Sequence, residues 1–475
     1  MNIIDLKFKF KIKLACFFIL SLVSCRALGQ DTSRIVNDIT QLNPIKVNAI
    51  IHPTTTEEII NAVKSNPGPI SIGGGRYSMG GQTATENALQ IDMRTFDKVL
   101  HFSKKDKEVT VQAGITWRKL LNFIDTAGLS IKIMQSYSNF TVGGALSVNC
   151  HGRYIGQGPI ILSVKEIKIV LANGDLIAAS RDKNTEIFFG AIGGYGGLGV
   201  ITEVTLYLTN NCKVERSDTL MRADEYKKYF FDHIRSDSTV IFQSADIYPN
   251  HYNKIRSVPY RITQKEVTVP DRINPIKENY SFNKFAYKVV SEFPAGKWIR
   301  EHIIDPILYR KNPVEWRNYE AGSNVEELEP RSRKKSTYVL EEYFVPMNNF
   351  NNFYPAMGKI LRENKVNVIN ISIRNARPDP GTLLAWARTE VFSFVIYYKQ
   401  GTKETDKEKV KNWTRKLIEA VIANNGTYYL PYQIHATPEQ FDKAYPNSTK
   451  FFALKKQLDP TNKFRNKLWD AYYKQ

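Results

Sequence analysis

Residues 186–206 read EIFFGAIGGYGGLGVITEVTL. Within them, Gly194-Tyr195-Gly196-Gly197-Leu198-Gly199 is a literal G-x-G-x-x-G. In a doubly wound dinucleotide fold this fingerprint follows a strand and opens a helix whose N-terminus holds a pyrophosphate. Here the glycines run directly into VITEVTLYL (200–208), which is β-branched and alternating and predicts a strand. The context rules out the doubly wound reading. A P-loop is ruled out because no G-x-x-x-x-G-K-[ST] occurs.

Upstream, two more glycine loops stand among short β-type runs. The first is GGGRYSMGGQ (73–82), with five glycines in nine positions. Consecutive backbone N–H groups in such a loop can turn inward to hold an anion. Ser78 adds a hydroxyl and Gln82 an amide, and each hydrogen bond to a charged oxygen contributes roughly 1.5–3 kcal/mol. The second is TVGGALSVNCHGR (141–153), whose small residues let a flat group approach the backbone beside His151. Around these loops the pattern predicts strands at 47–51, 69–72 and 89–93. It also predicts a helix capped within 54–58, a hairpin pairing 99–102 with 109–112, and a helix capped by Thr116. Strands at 164–171 and 176–179 are joined by Asn173-Gly174-Asp175.

The chain has 475 residues, 42% hydrophobic and 24% charged, an ordinary globular composition that implies more than one domain. Its net charge of +19 favours anionic partners without choosing among them. Residues 1–29 follow signal-peptide grammar: Lys7, Lys9, Lys11 and Lys13 precede a short apolar run at 14–23 and then small residues. Ala27-Leu28-Gly29 offers ordinary cleavage. Leu22-Val23-Ser24-Cys25 resembles a lipobox, in which Cys25 would carry the lipid. The expectation is an exported protein, periplasmic or membrane-anchored. Cys150 and Cys212 are too few for a disulfide framework, and the absence of CxxC excludes zinc ribbons and thioredoxin-like chemistry. No metal site is expected.

After residue 210 glycine thins while Lys, Arg, Tyr and Asn rise. Residues 211–425 read as a second α+β domain with long surface excursions. Helices are expected at 438–445, capped by Thr437, and at 448–458, closed by Asp459-Pro460. The basic run Arg331-Ser332-Arg333-Lys334-Lys335 suggests either a solvated loop or a contact to anionic lipid.

The three glycine blocks together resemble the vanillyl-alcohol-oxidase-type flavoproteins, whose FAD domain is called PCMH-type. The resemblance covers about 45–210 and resumes near 426–470, where LKKQLDPTNKFRNKLW is similar to the family's closing segment. It implies an α+β fold: a two-subdomain PCMH-type FAD-binding domain (31–210), an α+β substrate or cap domain (211–425), and a C-terminal segment (426–475) returning to the FAD domain. By resemblance the cofactor is FAD, contacted by Gly73, Gly74, Gly75, Arg76, Tyr77, Ser78, Gln82, Thr141, Ser147, His151 and Ile201. Relatives that bind flavin covalently carry a histidine where this chain has Tyr77, so non-covalent FAD is expected.

Three subfamilies share features with the chain. The GGQ of the first loop and Tyr429-Leu430-Pro431 look like cytokinin dehydrogenases, but Ser136 stands where those carry an aspartate base. Sugar-lactone oxidases share the His-Gly after the second loop, while their C-terminal His-Trp-x-Lys signature is missing here. SVNCHGR is similar to decaprenylphosphoryl-ribose oxidases, whose lysine before the tail is matched by Tyr432.

The resemblance implies an FAD-dependent oxidase or dehydrogenase, D-arabinono-1,4-lactone-oxidase-like. Its donor would be the CH–OH group of a sugar, sugar lactone or polyol, and its acceptor oxygen or a membrane electron carrier. His151, Tyr432 and Glu342 are the candidate catalytic residues; Arg374, Arg377 and Lys399 either bind an anionic substrate or are solvated. The alternatives are an amine (cytokinin-like) dehydrogenase and a non-enzymatic basic protein binding anionic lipid or nucleic acid. No nucleic-acid partner is expected, while association with a membrane surface stays open.

Overall fold

The alternating run after the third glycine loop is the strand Val200–Asn210, with Val204, Leu206 and Leu208 buried and Tyr207 exposed. In the computed structural model, which describes residues 34–474 except Asn250 and Glu278, this strand lies at the centre of a six-stranded sheet. The order is Leu176–Ser180, Val164–Val170, Val200–Asn210, Glu108–Gln112 and Val99–Ser103, with Leu129–Ile131 also on the central strand. The turn at Asn173-Gly174-Asp175 closes one hairpin, with Gly174 at φ 85°, where a side chain would be strained. Residues 1–29 and Cys25, read above as an export signal and lipidation site, lie outside the described residues. Among the described residues no helix is long and apolar enough to cross a membrane.

The first glycine loop leaves a three-stranded parallel sheet ordered Ala49–Ile51, Leu89–Asp92, Ile70–Gly73. The crossover helix Thr56–Ser65 is opened by a capping box, Thr55 accepting from the Glu58 N–H and Glu58 reaching back. Thr116 and Thr141 cap the helices Trp117–Asp125 and Val142–Ser147 in the same manner.

Residues 213–428 supply a nine-stranded antiparallel sheet. Its part nearest the site is ordered Val240–Ile247, Asn367–Ala376, Val391–Gly401, Ser336–Pro346, Thr427–Tyr428. Ser336–Pro346 faces two ways. Leu340 and Glu342 point into a large cavity, while Tyr343 packs against Phe353 of the helix Phe350–Glu363. This strand carries Glu342 and runs the full length from Ser336 to Pro346 beside Val391–Gly401.

The C-terminal segment packs against the N-terminal glycine loops. Phe464 bridges Ile70, the Arg465 N–H donates to Ile70 O, and Ser71 Oγ donates to Arg465 O. The helix Ser448–Leu458 carries Lys455, fully buried, whose Nζ donates to Gly197 O, Phe464 O and Asp459 Oδ2, each at 2.9 Å. Burial pulls the Lys455 ammonium below its ordinary range, and Asp459 opposes that pull. Lys455→Met should cost roughly 3–5 kcal/mol, because Asp459 would keep a buried charge without its cation. Chemical denaturation of the two proteins measures the difference.

Candidate active site

The three glycine loops, the nine-stranded sheet and residues 429–432 enclose one cavity of about 1610 Å³, counting its open mouth. Its lining runs without a break from the glycine loops to the antiparallel sheet, so one ligand-sized space adjoins both.

At the floor lies the first loop. The backbone N–H groups of Gly75, Arg76, Tyr77 and Ser78 have no acceptor among the described residues, which leaves four consecutive donors open. Arg76 has φ 61°, the turn that aims them. Gly74 sits so close to the second loop that a Cβ would lie 2.2 Å from Thr141 Oγ. Among the residues expected at the cofactor, Gly74, Gly75, Arg76, Tyr77, Ser78, Gln82, Thr141, Ser147, His151 and Ile201 line the cavity. Gly73 does not: it ends the strand Ile70–Gly73, paired with Asp92. The Arg76 guanidinium is held by Asp92 at 2.9 Å. The Gln82 amide nitrogen donates to Leu430 O and Tyr432 O, both at 2.7 Å, so this side chain ties the loop to the C-terminal segment. The Ser147 hydroxyl donates to Gly144 O within its own helix.

These features fit FAD. Open backbone donors suit a pyrophosphate, and the glycine wall at Gly74, Gly143 and Gly144 suits a flat ring. Neither candidate nucleophile lining the cavity is activated. Burial, followed by the charge of Glu329, pushes the Tyr77 phenol up to about 12. Burial also pushes the Cys150 thiol well above its ordinary range. Cys150 and Cys212 are both free.

At the other end, three residues proposed as catalytic converge. His151 Nε2 lies 2.7 Å from Glu342 Oε1, and each side chain is only 3% exposed. Tyr432 Oη donates to Glu342 Oε2 at 3.3 Å, and Ser393 Oγ donates to Oε1 at 2.6 Å. The register explains Ser393: Glu342 faces Val395 and Phe344 faces Ser393, two residues along. Burial pushes the Glu342 carboxyl up. The adjacent His151, through charge and hydrogen bond, then Arg374 and Ser393, outweigh burial and hold it below the usual 4.5. Trp386 borders His151 with ring centroids 4.9 Å apart and stacks on Phe344 at 4.2 Å. Arg374, on the strand Asn367–Ala376, lines the cavity with its Nε buried and unpartnered; Ser136 Oγ does likewise.

Of the other two cations named with Arg374, Arg377 is exposed outside this cavity and Lys399 pairs with Glu292 at 2.7 Å. Sequence reasoning missed Ser393 and Trp386. A lone serine in a strand carries no pattern, and Trp386 sits in a segment without periodicity.

Two known families match separate parts of the chain. Residues 47–180 match the FAD binding domain family, and residues 330–473 match the D-arabinono-1,4-lactone oxidase family. In both of these segments the chain is similar to FAD-binding oxidoreductases. It is 28% identical over 267 residues to L-galactono-1,4-lactone dehydrogenase of Arabidopsis thaliana, which covers 56% of this chain and 40% of that protein. It is 35% identical over 145 residues to L-galactono-1,4-lactone dehydrogenase 2 of Oryza sativa, 30% of this chain and 25% of that one. It is 29% identical over 208 residues to cytokinin dehydrogenase 7 of Oryza sativa, 40% and 38%. The chain spans between a quarter and two-fifths of the length of these relatives.

Two outcomes follow. Gly74→Ala should fold but bind little flavin, because the methyl group pushes the two loops apart; flavin absorbance per chain reads this. Glu342, with its lowered folded value, stabilises the protein above about pH 4.5, its unfolded value, and that contribution is lost as pH falls through the folded value. The stability difference between wild type and Glu342→Gln should therefore shrink below pH 4.5, measured by denaturant melts across a pH series.

Proposed function

We propose that the protein is an exported FAD-dependent oxidoreductase acting on the CH–OH group of a sugar, sugar lactone or related polyol. The observation carrying this reading is the His151–Glu342–Ser393–Tyr432 cluster, which joins the second glycine loop to the antiparallel sheet inside one cavity. FAD, when bound, supplies N5 as the acceptor of the donor carbon's hydride. The protein's part is to bind the donor, place its carbon and take the hydroxyl proton. His151, Glu342 and Tyr432, joined in one hydrogen-bonded cluster, are the candidate groups for that proton. Arg374, with its free Nε, suits the ring or carbonyl oxygen of a lactone. Trp386, Phe344 and Tyr429 pack their rings around His151 and hold the imidazole in place.

The match of residues 330–473, which hold Glu342, Arg374, Ser393 and Tyr432, to a lactone oxidase family favours the lactone reading over the amine one. Export rests on residues 1–29 alone, with Cys25 as the candidate lipid site. The cofactor is held without a covalent bond.

Anaerobic mixing with a panel of sugars, lactones and polyols should bleach the flavin. Bleaching by amines alone would overturn the proposal. Readmitting air separates an oxidase from a dehydrogenase. His151→Ala should slow the reduction by ~10²-fold or more with flavin content intact. Acid precipitation should release the yellow colour into the supernatant; colour in the pellet would mean a covalent bond, to be sought first at Tyr77 and Cys150.

A further inference from the structure

A helical excursion from the antiparallel sheet has its polarity reversed. It comprises the helix Ser281–Glu292 and, after a turn at Phe293-Pro294-Ala295, a continuous helical run from Gly296 to Leu308. The inner side is fastened by polar and aromatic groups. Arg300 pairs with Asp246 and Asp305, Asp305 accepts from Tyr248 Oη at 2.8 Å, and Tyr309 lies between the guanidinium groups of Arg216 and Arg256. Ser291 bonds Tyr338, and Tyr287 packs edge-on against Tyr397.

The outer side is apolar. Fourteen large hydrophobic side chains are exposed among the described residues, and eight of them fall within 276–308. Phe282 is 80% exposed, Ile307 69%, and Phe285, Phe293 and Trp298 each about half. A surface helix that needed only to cover the sheet would place these groups inward. Soluble proteins seldom leave so many large apolar groups together in water without a partner.

We propose that this excursion docks on an anionic lipid bilayer, with Phe282, Phe285, Phe293, Trp298 and Ile307 entering the interface. Charge selects the occupant. Residues 276–311 hold seven basic groups against four acidic ones, in a chain of net charge +19. Lys277, Arg310 and Lys311 are exposed with no carboxylate at ion-pair distance among the described residues. An apolar face of Phe, Trp and Ile bordered by unpaired Lys and Arg matches the two-part chemistry of the lipid interface: an acyl boundary below and phosphate above. A second copy of this chain would bring the same positive charge to the contact and be repelled. The excursion also adjoins the cavity. Asn283 and Lys284 bond Glu327 and Glu326 of the turn Val325–Leu328, and Val325 and Leu328 line the cavity wall. Docking would set that wall close to the membrane.

The test is flotation of the full chain, carrying Cys25→Ser to remove the candidate lipid site, with vesicles of phosphatidylglycerol or of phosphatidylcholine. The protein should float with the phosphatidylglycerol vesicles, less so at high salt. Phe282→Ser/Phe285→Ser/Trp298→Ser should lose binding by roughly ten-fold or more per aromatic. Its near-UV circular dichroism and flavin content should be unchanged. Leu100→Ser/Phe123→Ser, which removes exposed apolar groups elsewhere, should bind as the parent does. Equal binding by the triple variant and its parent would overturn the proposal. So would a parent that floats with neither vesicle, or one that is a dimer in solution and is made monomeric by the triple change without any vesicle binding.

Discussion

The contact between His151 Nε2 and Glu342 Oε1 is the joint on which the site depends. One partner comes from the loop after the helix Val142–Ser147, the other from the strand Ser336–Pro346, nearly two hundred residues later. A carboxylate buried to this degree is costly unless it is paired and its remaining lone pairs are used. Glu342 meets that condition with His151, Ser393 and Tyr432. Each of these comes from a different element, so ionising the carboxylate and assembling the cavity are one event. The glycine loops and the antiparallel sheet are held at the distance the pair requires.

The C-terminal segment imposes a second condition of the same kind. Its buried Lys455 reaches Gly197 O in the third glycine loop, and Asn466 donates to Tyr195 O nearby. Gln82 in the first loop clamps Leu430 and Tyr432 from the other side. Gln82 therefore reaches the site indirectly: by fixing the Tyr432 backbone it sets where Tyr432 Oη meets Glu342. The loops that present backbone donors are short of internal hydrogen bonds, and much of their fixation comes from a segment 258 to 350 residues away.

The outward apolar face of 281–308 sits badly with the rest of the molecule, where cores are apolar and rims charged. Its inner side carries the ion pairs and its outer side the phenylalanines. Composition hides this reversal, because the apolar groups of 276–308 are interspersed with Lys, Arg and Glu. Which side of a helix meets the sheet is a tertiary fact.

Local patterns in the sequence determined a great deal. The capping threonines 55, 116, 141 and 437, the turn at Gly174, the alternation of residues 200–208 and the helix at 448–458 all depend on neighbours within a few residues. The glycine loops were legible because so many adjacent glycines serve backbone geometry. Glu342, His151 and Tyr432 were named from resemblance, but nothing local showed that they touch. Ser393 and Trp386 left no signal, and Arg374 could not be told from Arg377 or Lys399 by sequence. Those distinctions rest on strand register and on the burial of one side of a sheet, which only long-range packing sets. Conformational preference is local and is written residue by residue. The ionisation and reach of a side chain depend on what the fold places around it, and the tertiary structure alone decides that.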